Sequence, residues 1–200
     1  MIQQISQERQ LTKYTTHKIQ DEGIEVSIDP LLSPDDYIAI KVDDYYNGLH
    51  LAKTTPKAID FLVAVDCSCQ DYVLYLLELK NVKTPQAYQT HAIYEKFKNT
   101  LDHFMSEEFS HIFFNDHYRY RHIFLYLVTT AYRTAMKCGS FEKYTKLMQK
   151  IGKKDTLLND SALSQKPFRF RNKVLFIQTE VPPNPVIRKY SSPLSNHFNG

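Results

Sequence analysis

The sequence predicts an α/β protein with a central mixed β-sheet flanked by helices. Two apolar, β-branched runs, residues 59–67 and 73–80, flank a short polar stretch at 68–71, which is typical of two strands joined by a tight turn. A helical apolar periodicity follows, and then another apolar run, so the element order is strand, hairpin, helix and strand. The 200 residues, of which 42% are hydrophobic, suffice for one domain with a full core.

The chain before the hairpin predicts a helix and a first core strand. Apolar residues recur at roughly helical intervals over residues 2–20, which indicates an amphipathic helix. After two breaks that contain proline, residues 37–46 alternate enough to be the first strand of the sheet. Asp43 and Asp44 in this segment are alternative metal ligands, but nothing in the sequence fixes them beside the acidic residues of the hairpin.

The hairpin predicts a cluster of two carboxylates and one ammonium. Side chains alternate along a strand, so Glu78 and Lys80 share one face while Leu79 points to the other. With the turn centred near Gln70, residues whose numbers sum to about 139 lie opposite each other, which brings Asp60 to the end of the second strand. We therefore expect Asp60, Glu78 and Lys80 to meet at the open end of the hairpin.

Such a cluster suits a hard divalent cation. Mg²⁺ favours one or two carboxylates together with water and phosphate oxygens. A neighbouring ammonium can orient or deprotonate an attacking water, and it can stabilise charge on a phosphoryl group. The same three side chains are equally compatible with a surface ion pair at the mouth of a hairpin, which contributes little to stability.

Residues 37–130 resemble the PD-(D/E)xK nuclease superfamily, which includes most type II restriction endonucleases. Its motif is an Asp at the start of one core strand and an acidic-x-Lys run in the next, and these correspond to Asp60 and to residues 78–80. The Pro that normally adjoins the Asp is displaced to Pro56, and Ile59 takes its position. The resemblance implies a restriction-endonuclease-like core, with the order helix, three strands, helix and strand.

The resemblance also implies an activity, which is Mg²⁺-dependent cleavage of DNA by a type II restriction enzyme. Asp60 and Glu78 would bind Mg²⁺, or Mn²⁺ in its place, with the backbone carbonyl of Leu79, and Lys80 would orient or activate the water. An enzyme of this kind that cuts both strands usually acts as a homodimer on a palindromic site. A repair or recombination nuclease of the same fold is an alternative.

The chain after the hairpin predicts one long helix and two further strands. Residues 85–105 carry a helical apolar face, and Pro85 suits the first turn. In the resembled fold, polar residues of this helix approach the active site, and Gln89 is the candidate for that position. Residues 122–130 predict a buried strand, and residues 168–179, which alternate aromatic and basic side chains, predict another.

Charge is unevenly distributed along the chain, although the net charge is only +3. Residues 1–130 hold 12 Lys and Arg against 18 Asp and Glu, whereas residues 131–200 hold 13 against 4. A nuclease with acidic metal ligands and basic phosphate contacts fits this pattern, but so do two solvated faces, or a non-catalytic protein that binds nucleic acid. The candidate nucleic-acid contacts are polar or basic side chains in a loop before the hairpin, on the helix after it, and in two segments rich in aromatic residues: Lys53, Lys57, Gln89, Arg119, Arg121, Arg169, Arg171 and Lys173.

Composition gives no support to several other classes. Gly is scarce, and no dinucleotide-binding, P-loop or HExxH motif occurs. The three cysteines form no CxxC pair, and there is neither a signal peptide nor an apolar run near membrane-spanning length, so we expect a cytoplasmic protein without a membrane segment. We expect a single domain over residues 1–180 and an extended tail over residues 181–200, which are rich in Pro, Ser and Asn.

Overall fold

The protein is built on a mixed sheet of six strands. The computed structural model describes residues 1–49, 55–83, 89–131, 137–140, 142–144, 146 and 165–190. The strands are β1 (Thr15–Thr16), β2 (Gln20–Asp21), β3 (Ile24–Glu25), β4 (Tyr37–Lys41), β5 (Phe61–Asp66), β6 (Asp71–Lys80), β7 (Arg119–Thr129), β8 (Phe168–Phe170), β9 (Lys173–Leu175) and β10 (Ile177–Glu180). The central sheet has the order β1-β4-β5-β6-β7-β10, while β2–β3 and β8–β9 are separate two-stranded hairpins.

The sheet changes direction at β6. The pairs β1–β4, β4–β5 and β5–β6 are antiparallel, whereas the pairs β6–β7 and β7–β10 are parallel. A parallel pair needs a crossover connection, and the described helices lie largely on that crossover. They include α1 (Ile2–Gln7), α2 (Val42–Gly48), α3 (Thr90–Asn99), which continues as a π-helical segment (Thr100–Glu108), and α4 (Ser110–Phe113). Short 3-10 helices lie at Thr12–Tyr14 and Pro34–Asp36, before β4.

Each face of the sheet has its own hydrophobic core. Leu62 and Leu76 belong to the core that contains the buried residues of the described helices. Val63 and Tyr75, one position along on each strand, belong to a second core. That second core is covered by the segment around β2–β3 and by Ile187 from the C-terminal region. Alternation along β5 and β6 thus assigns even-numbered side chains to the helical face and odd-numbered ones to the other.

Residues 181–190, here called the C-terminal strap, pack on the domain itself. The strap was predicted as the first half of an extended tail, but Ile187 is fully buried. The Ile187 N–H donates to the Ser27 carbonyl at 2.9 Å, and the Asp29 N–H donates to the Ile187 carbonyl at 2.9 Å. At the end of the strap, Arg121 donates from Nη1 to the Tyr190 carbonyl at 2.9 Å. The second half of the predicted tail lies outside the described residues.

The predicted N-terminal helix over residues 2–20 is wrong beyond its first turns, because α1 ends at Gln7. Leu11 and Ile19, whose spacing predicted a longer helix, are both buried but lie outside α1. Between them the β-branched pair Thr15–Thr16 forms β1, which pairs with the edge of β4. Edge pairing therefore outweighs the helical periodicity here.

The predicted strand over residues 37–46 is right only for its first half. The strand β4 ends at Lys41, and α2 follows at once. The buried residues Val42, Tyr45 and Tyr46 have helical spacing, and Asp43 lies in the first turn, where an acidic side chain suits the helix dipole. The helix at this point carries Asp43 to the open end of the hairpin.

Two further elements agree with the sequence and one does not. The helix after the hairpin and the buried strand after it are confirmed as α3 and β7, although residues 84–88 lie outside the description. The predicted single strand over residues 168–179 is wrong, because Arg171 has a φ of +51° and reverses the chain between β8 and β9. Within the described ranges, no helix combines the length and hydrophobicity needed to cross a membrane.

Candidate active site

Asp60 and Glu78 lie side by side at the open end of the β5–β6 hairpin. Phe61 pairs with Leu77, which brings Asp60, the residue before β5, opposite Glu78. Both acidic residues are buried, with exposed fractions of 4% for Asp60 and 0% for Glu78. The register predicted from the sequence is therefore confirmed, while the roles of these side chains in metal binding and catalysis stay predictions.

The Asp60 carboxylate is held by the backbone of the neighbouring strand. Its Oδ2 accepts a hydrogen bond from the Leu79 N–H at 2.5 Å. The Asp60 carbonyl accepts one from the Val42 N–H at 3.2 Å, which ties the start of β5 to the start of α2. Because the Leu79 N–H occupies Oδ2, Oδ1 is the Asp60 carboxylate oxygen that faces the rest of the cluster.

Two lysines converge on Glu78, one from its own strand and one from α3. The Lys80 Nζ lies 3.0 Å from Glu78 Oε1. The Lys96 Nζ lies 2.7 Å and 2.9 Å from the two Glu78 oxygens and 3.5 Å from Asp60 Oδ1. Lys96 therefore bridges both acids. Gln89, the residue of this helix that the resemblance favours for the site, is instead exposed just before α3 begins.

The signal that identifies Lys96 is its position on the buried face of α3. Ile93 is three residues earlier and Thr100 four residues later, and both are buried. Residues at these spacings share one side of a helix. The Thr100 hydroxyl also accepts a hydrogen bond from the Ile59 N–H at 3.3 Å, which fixes this face of the helix against the residue before Asp60. A lysine on such a face, behind a strand that carries a buried acid, needs an acidic partner.

Burial dominates the electrostatics of the two acids. It raises the pKa of Glu78 to about 7, and the charge of Asp60 acts in the same direction, while Lys96 and Lys80 oppose both effects. Burial also raises the pKa of Asp60, against the opposing Lys96 charge and the Leu79 hydrogen bond. Burial alone would lower the pKa of Lys96, but the Glu78 and Asp60 carboxylates outweigh it and hold that pKa above its ordinary value. The Lys96 ammonium therefore stays charged.

A third carboxylate, Asp43, lies within electrostatic reach of the pair. Burial raises the pKa of Asp43 to about 6, and the Asp60 charge contributes to that increase. The Asp43 N–H donates to the Ile59 carbonyl at 3.2 Å, which places the first turn of α2 beside the start of β5. Asp44, the other alternative ligand from the sequence, pairs instead with Lys41 at 3.1 Å on a half-exposed surface.

The donor atoms at this position fit Mg²⁺ or Mn²⁺. Asp60 and Glu78 offer carboxylate oxygens, which are hard ligands. The N–H and C=O of a strand residue point to the same side, so the Leu79 carbonyl lies on the side of β6 where its N–H meets Asp60. Among the described residues, no three His, Cys, Asp or Glu side chains form a metal-binding group by themselves. A metal here would be held by two carboxylates and the Leu79 carbonyl, with water or phosphate oxygens completing its shell.

Two of the predicted nucleic-acid contacts, Arg121 and Arg171, serve the fold itself. Arg121 lies in β7 and donates from Nε and Nη2 to Asp71 Oδ2 at 2.8 Å and 2.6 Å. Arg171 donates from Nη1 to the Tyr118 carbonyl at 3.1 Å and lies over the Tyr120 ring. These internal contacts occupy the guanidinium groups, so their availability to DNA is low.

The other candidates are more exposed but do not form one surface. Arg119 is 71% exposed although it pairs with Asp71 at 2.7 Å. Arg169 is exposed on β8, whereas Lys173 on β9 lies opposite Phe170, so these two side chains belong to different faces of the hairpin. Lys57 is exposed. It lies next to the end of α3, where the Asn99 side chain donates to its carbonyl at 3.0 Å. Lys53 lies outside the described residues.

A scan against protein-family models, a search of curated proteins and a search of solved structures each found no significant match. The functional assignment therefore rests on the geometry of this chain.

Proposed function

We propose that this protein is a Mg²⁺-dependent DNA endonuclease with a restriction-endonuclease-like core, and that it acts as a type II restriction enzyme. The fold supports this proposal through its order of elements. Helix α1 precedes the three strands β4, β5 and β6, and α3 then leads into β7, which lies parallel to β6. Apart from β1–β3 before β4 and α2 between β4 and β5, this order is compatible with the helix, three strands, helix and strand that the resemblance implies.

The observation that carries the proposal is the burial of Asp60 and Glu78 beside each other, with two lysines bound to them. Removing carboxylates from water costs several kcal/mol each, at an order of magnitude, and apolar residues of similar volume often stabilise a fold better than a buried ion pair. A buried acidic pair with raised pKa values is therefore an indicator of a functional site.

The chain's own side chains have distinct roles in this proposal. Asp60, Glu78 and the Leu79 carbonyl would hold the metal, which stabilises charge on the scissile phosphate and activates a water. The Lys80 Nζ is partly exposed and lies 3.0 Å from Glu78, so it is placed to orient that water. Asp43 would strengthen the negative field that attracts a divalent cation. A homodimer would bring two such sites to the two strands of a palindromic sequence.

Plasmid cleavage tests the proposal directly. The purified protein is incubated with supercoiled plasmid and with a mixture of linear DNA, in Mg²⁺ or in EDTA, and the product ends are sequenced. We expect cutting only with Mg²⁺ and discrete termini. Asp60→Asn and Lys80→Ala should each lower the cutting rate by about a hundredfold or more while DNA affinity is largely kept.

Matched controls come from the same hairpin and the neighbouring helix. Asp66→Asn changes a carboxyl at the other end of β5, and Lys98→Ala changes a half-exposed lysine on α3, so both should cut like the wild type. Scattered termini would indicate a repair or recombination nuclease of the same fold. DNA binding without metal-dependent cutting would instead indicate a non-catalytic nucleic-acid-binding protein and would overturn the proposal.

A further inference from the structure

Lys96 occupies the position that a metal ion would need. Its Nζ contacts both oxygens of Glu78, at 2.7 Å and 2.9 Å, and is 3.5 Å from Asp60 Oδ1. The second Asp60 oxygen is already bound to the Leu79 N–H. The oxygens that face Lys96 are thus the ones that remain for a cation shared by the two acids.

The two acids and the two lysines that pair with them balance in charge. Asp60 and Glu78 carry two potential negative charges, and Lys80 and Lys96 carry two positive ones within 3.5 Å of them. Mg²⁺ binds carboxylate oxygens at about 2.0–2.1 Å, so it cannot share the same pair of oxygens with an ammonium at hydrogen-bond distance without strong repulsion. One cation has to leave when the other enters.

Lys96 is free to leave without movement of its helix. The backbone at Lys96 is fixed, because its carbonyl accepts a hydrogen bond from the Thr100 hydroxyl at 2.9 Å, and the same hydroxyl accepts the Ile59 N–H. The Lys96 side chain is nevertheless 20% exposed, so a change of rotamer can carry the ammonium toward solvent. Lys80 pairs with Glu78 Oε1 at 3.0 Å and is not the ammonium that bridges the two acids, so it can remain beside a metal.

We propose that the Lys96 ammonium holds the cation position between Asp60 and Glu78 in the metal-free protein, and that a divalent metal enters by displacing it. This inference rests on the proposed function, since it concerns the metal of that same site. The displaced ammonium stays tethered next to the site, where it is positioned to meet the phosphate that accompanies the metal. Lys96 is therefore a positioning residue that lowers metal affinity in the absence of DNA and keeps the buried acids compensated.

Direct measurement of Mn²⁺ binding by electron paramagnetic resonance tests the displacement. Lys96→Met keeps the length of the aliphatic stem and removes the competing charge. We expect this variant to bind Mn²⁺ at least about tenfold more tightly than the wild type. The control is Lys98→Met, which changes a half-exposed lysine two residues later that pairs with Asp102, and it should bind Mn²⁺ like the wild type.

The outcomes separate the two proposals. If the wild type cuts DNA with Mg²⁺ but Lys96→Met binds Mn²⁺ with equal or lower affinity, the displacement is refuted and the nuclease assignment stands. If the wild type neither cuts nor binds Mn²⁺ and Lys96→Met also binds none, both proposals fail.

Reductive methylation of the wild-type protein decides the question even if Lys96→Met does not fold. Peptide mass spectrometry would follow the labelling of each lysine amine with and without Mn²⁺. We expect Lys96 to label more slowly than Lys98 in the metal-free protein and severalfold faster once Mn²⁺ is added. A Lys96 labelling rate that Mn²⁺ leaves unchanged, while the wild type cuts DNA, would refute the displacement.

Discussion

Replacing Glu78 with glutamine should remove a loss of stability that the wild type suffers as pH rises. The folded protein holds a proton on Glu78 up to a pKa of about 7, whereas the ordinary value is 4.5. Between these values the folded state binds more protons than the unfolded state, so the free energy of unfolding falls as pH increases. A difference from 4.5 to about 7 corresponds to about 3 kcal/mol between pH 4.5 and pH 8.

Urea denaturation followed by circular dichroism measures this effect in metal-free buffer at several pH values. Glu78→Gln keeps the shape of the side chain but cannot ionise. Its unfolding free energy, relative to the wild type, should rise by about 3 kcal/mol between pH 4.5 and pH 8. Asp102→Asn, which changes a half-exposed carboxyl in the π-helical segment, should differ from the wild type by less than about 0.5 kcal/mol throughout. If the difference in unfolding free energy between Glu78→Gln and the wild type does not change with pH, burial does not raise the pKa of Glu78, and the reasoning is refuted.

Two further predictions concern the fold. Arg121→Ala should cost about 2–3 kcal/mol of unfolding free energy, because it leaves the Asp71 carboxylate and the Tyr190 carbonyl without the donor that Arg121 provides. Arg119→Ala should cost less than about 1 kcal/mol, because Arg119 also pairs with Asp71 but its side chain is 71% exposed. Urea titration of both variants checks this, and equal losses would contradict it. Gly48→Ala places a Cβ 1.9 Å from the Tyr14 hydroxyl and should cost about 1–3 kcal/mol, part of which Tyr14→Phe restores in the double variant. Melting temperatures compare the variants, and an unchanged value for Gly48→Ala would contradict the expected clash.

The acidic pair could be predicted because a hairpin specifies its own geometry. Alternation assigns each side chain to a face, and a short turn sets the register, so Asp60 and Glu78 could be placed together from two adjacent segments. The predicted mixed sheet also agrees with the structure, in which the helices between β6 and β7 form the crossover that a parallel pair needs.

Lys96 and Asp43 could not be placed in this way, because they reach the site from other elements. The position of Lys96 depends on how α3 packs across the sheet, which requires contacts such as that between Thr100 and Ile59. The alternation over residues 37–46 predicts a strand at Asp43, whereas its place beside Asp60 depends on the start of α2. The Pro-rich composition of the strap likewise indicated an extended segment but could not show that the second face of the sheet would bind it.

The C-terminal strap has a practical consequence for anyone who shortens this chain. Composition suggests residue 180 as a natural place to cut, but Tyr75 donates from its hydroxyl to the Arg188 carbonyl at 3.2 Å, and Tyr190 packs on the Phe124 ring. Truncation at residue 180 would expose Tyr75 and Phe124 to solvent, and the resulting apolar patch would promote self-association. Expression variants should therefore retain the chain through residue 190.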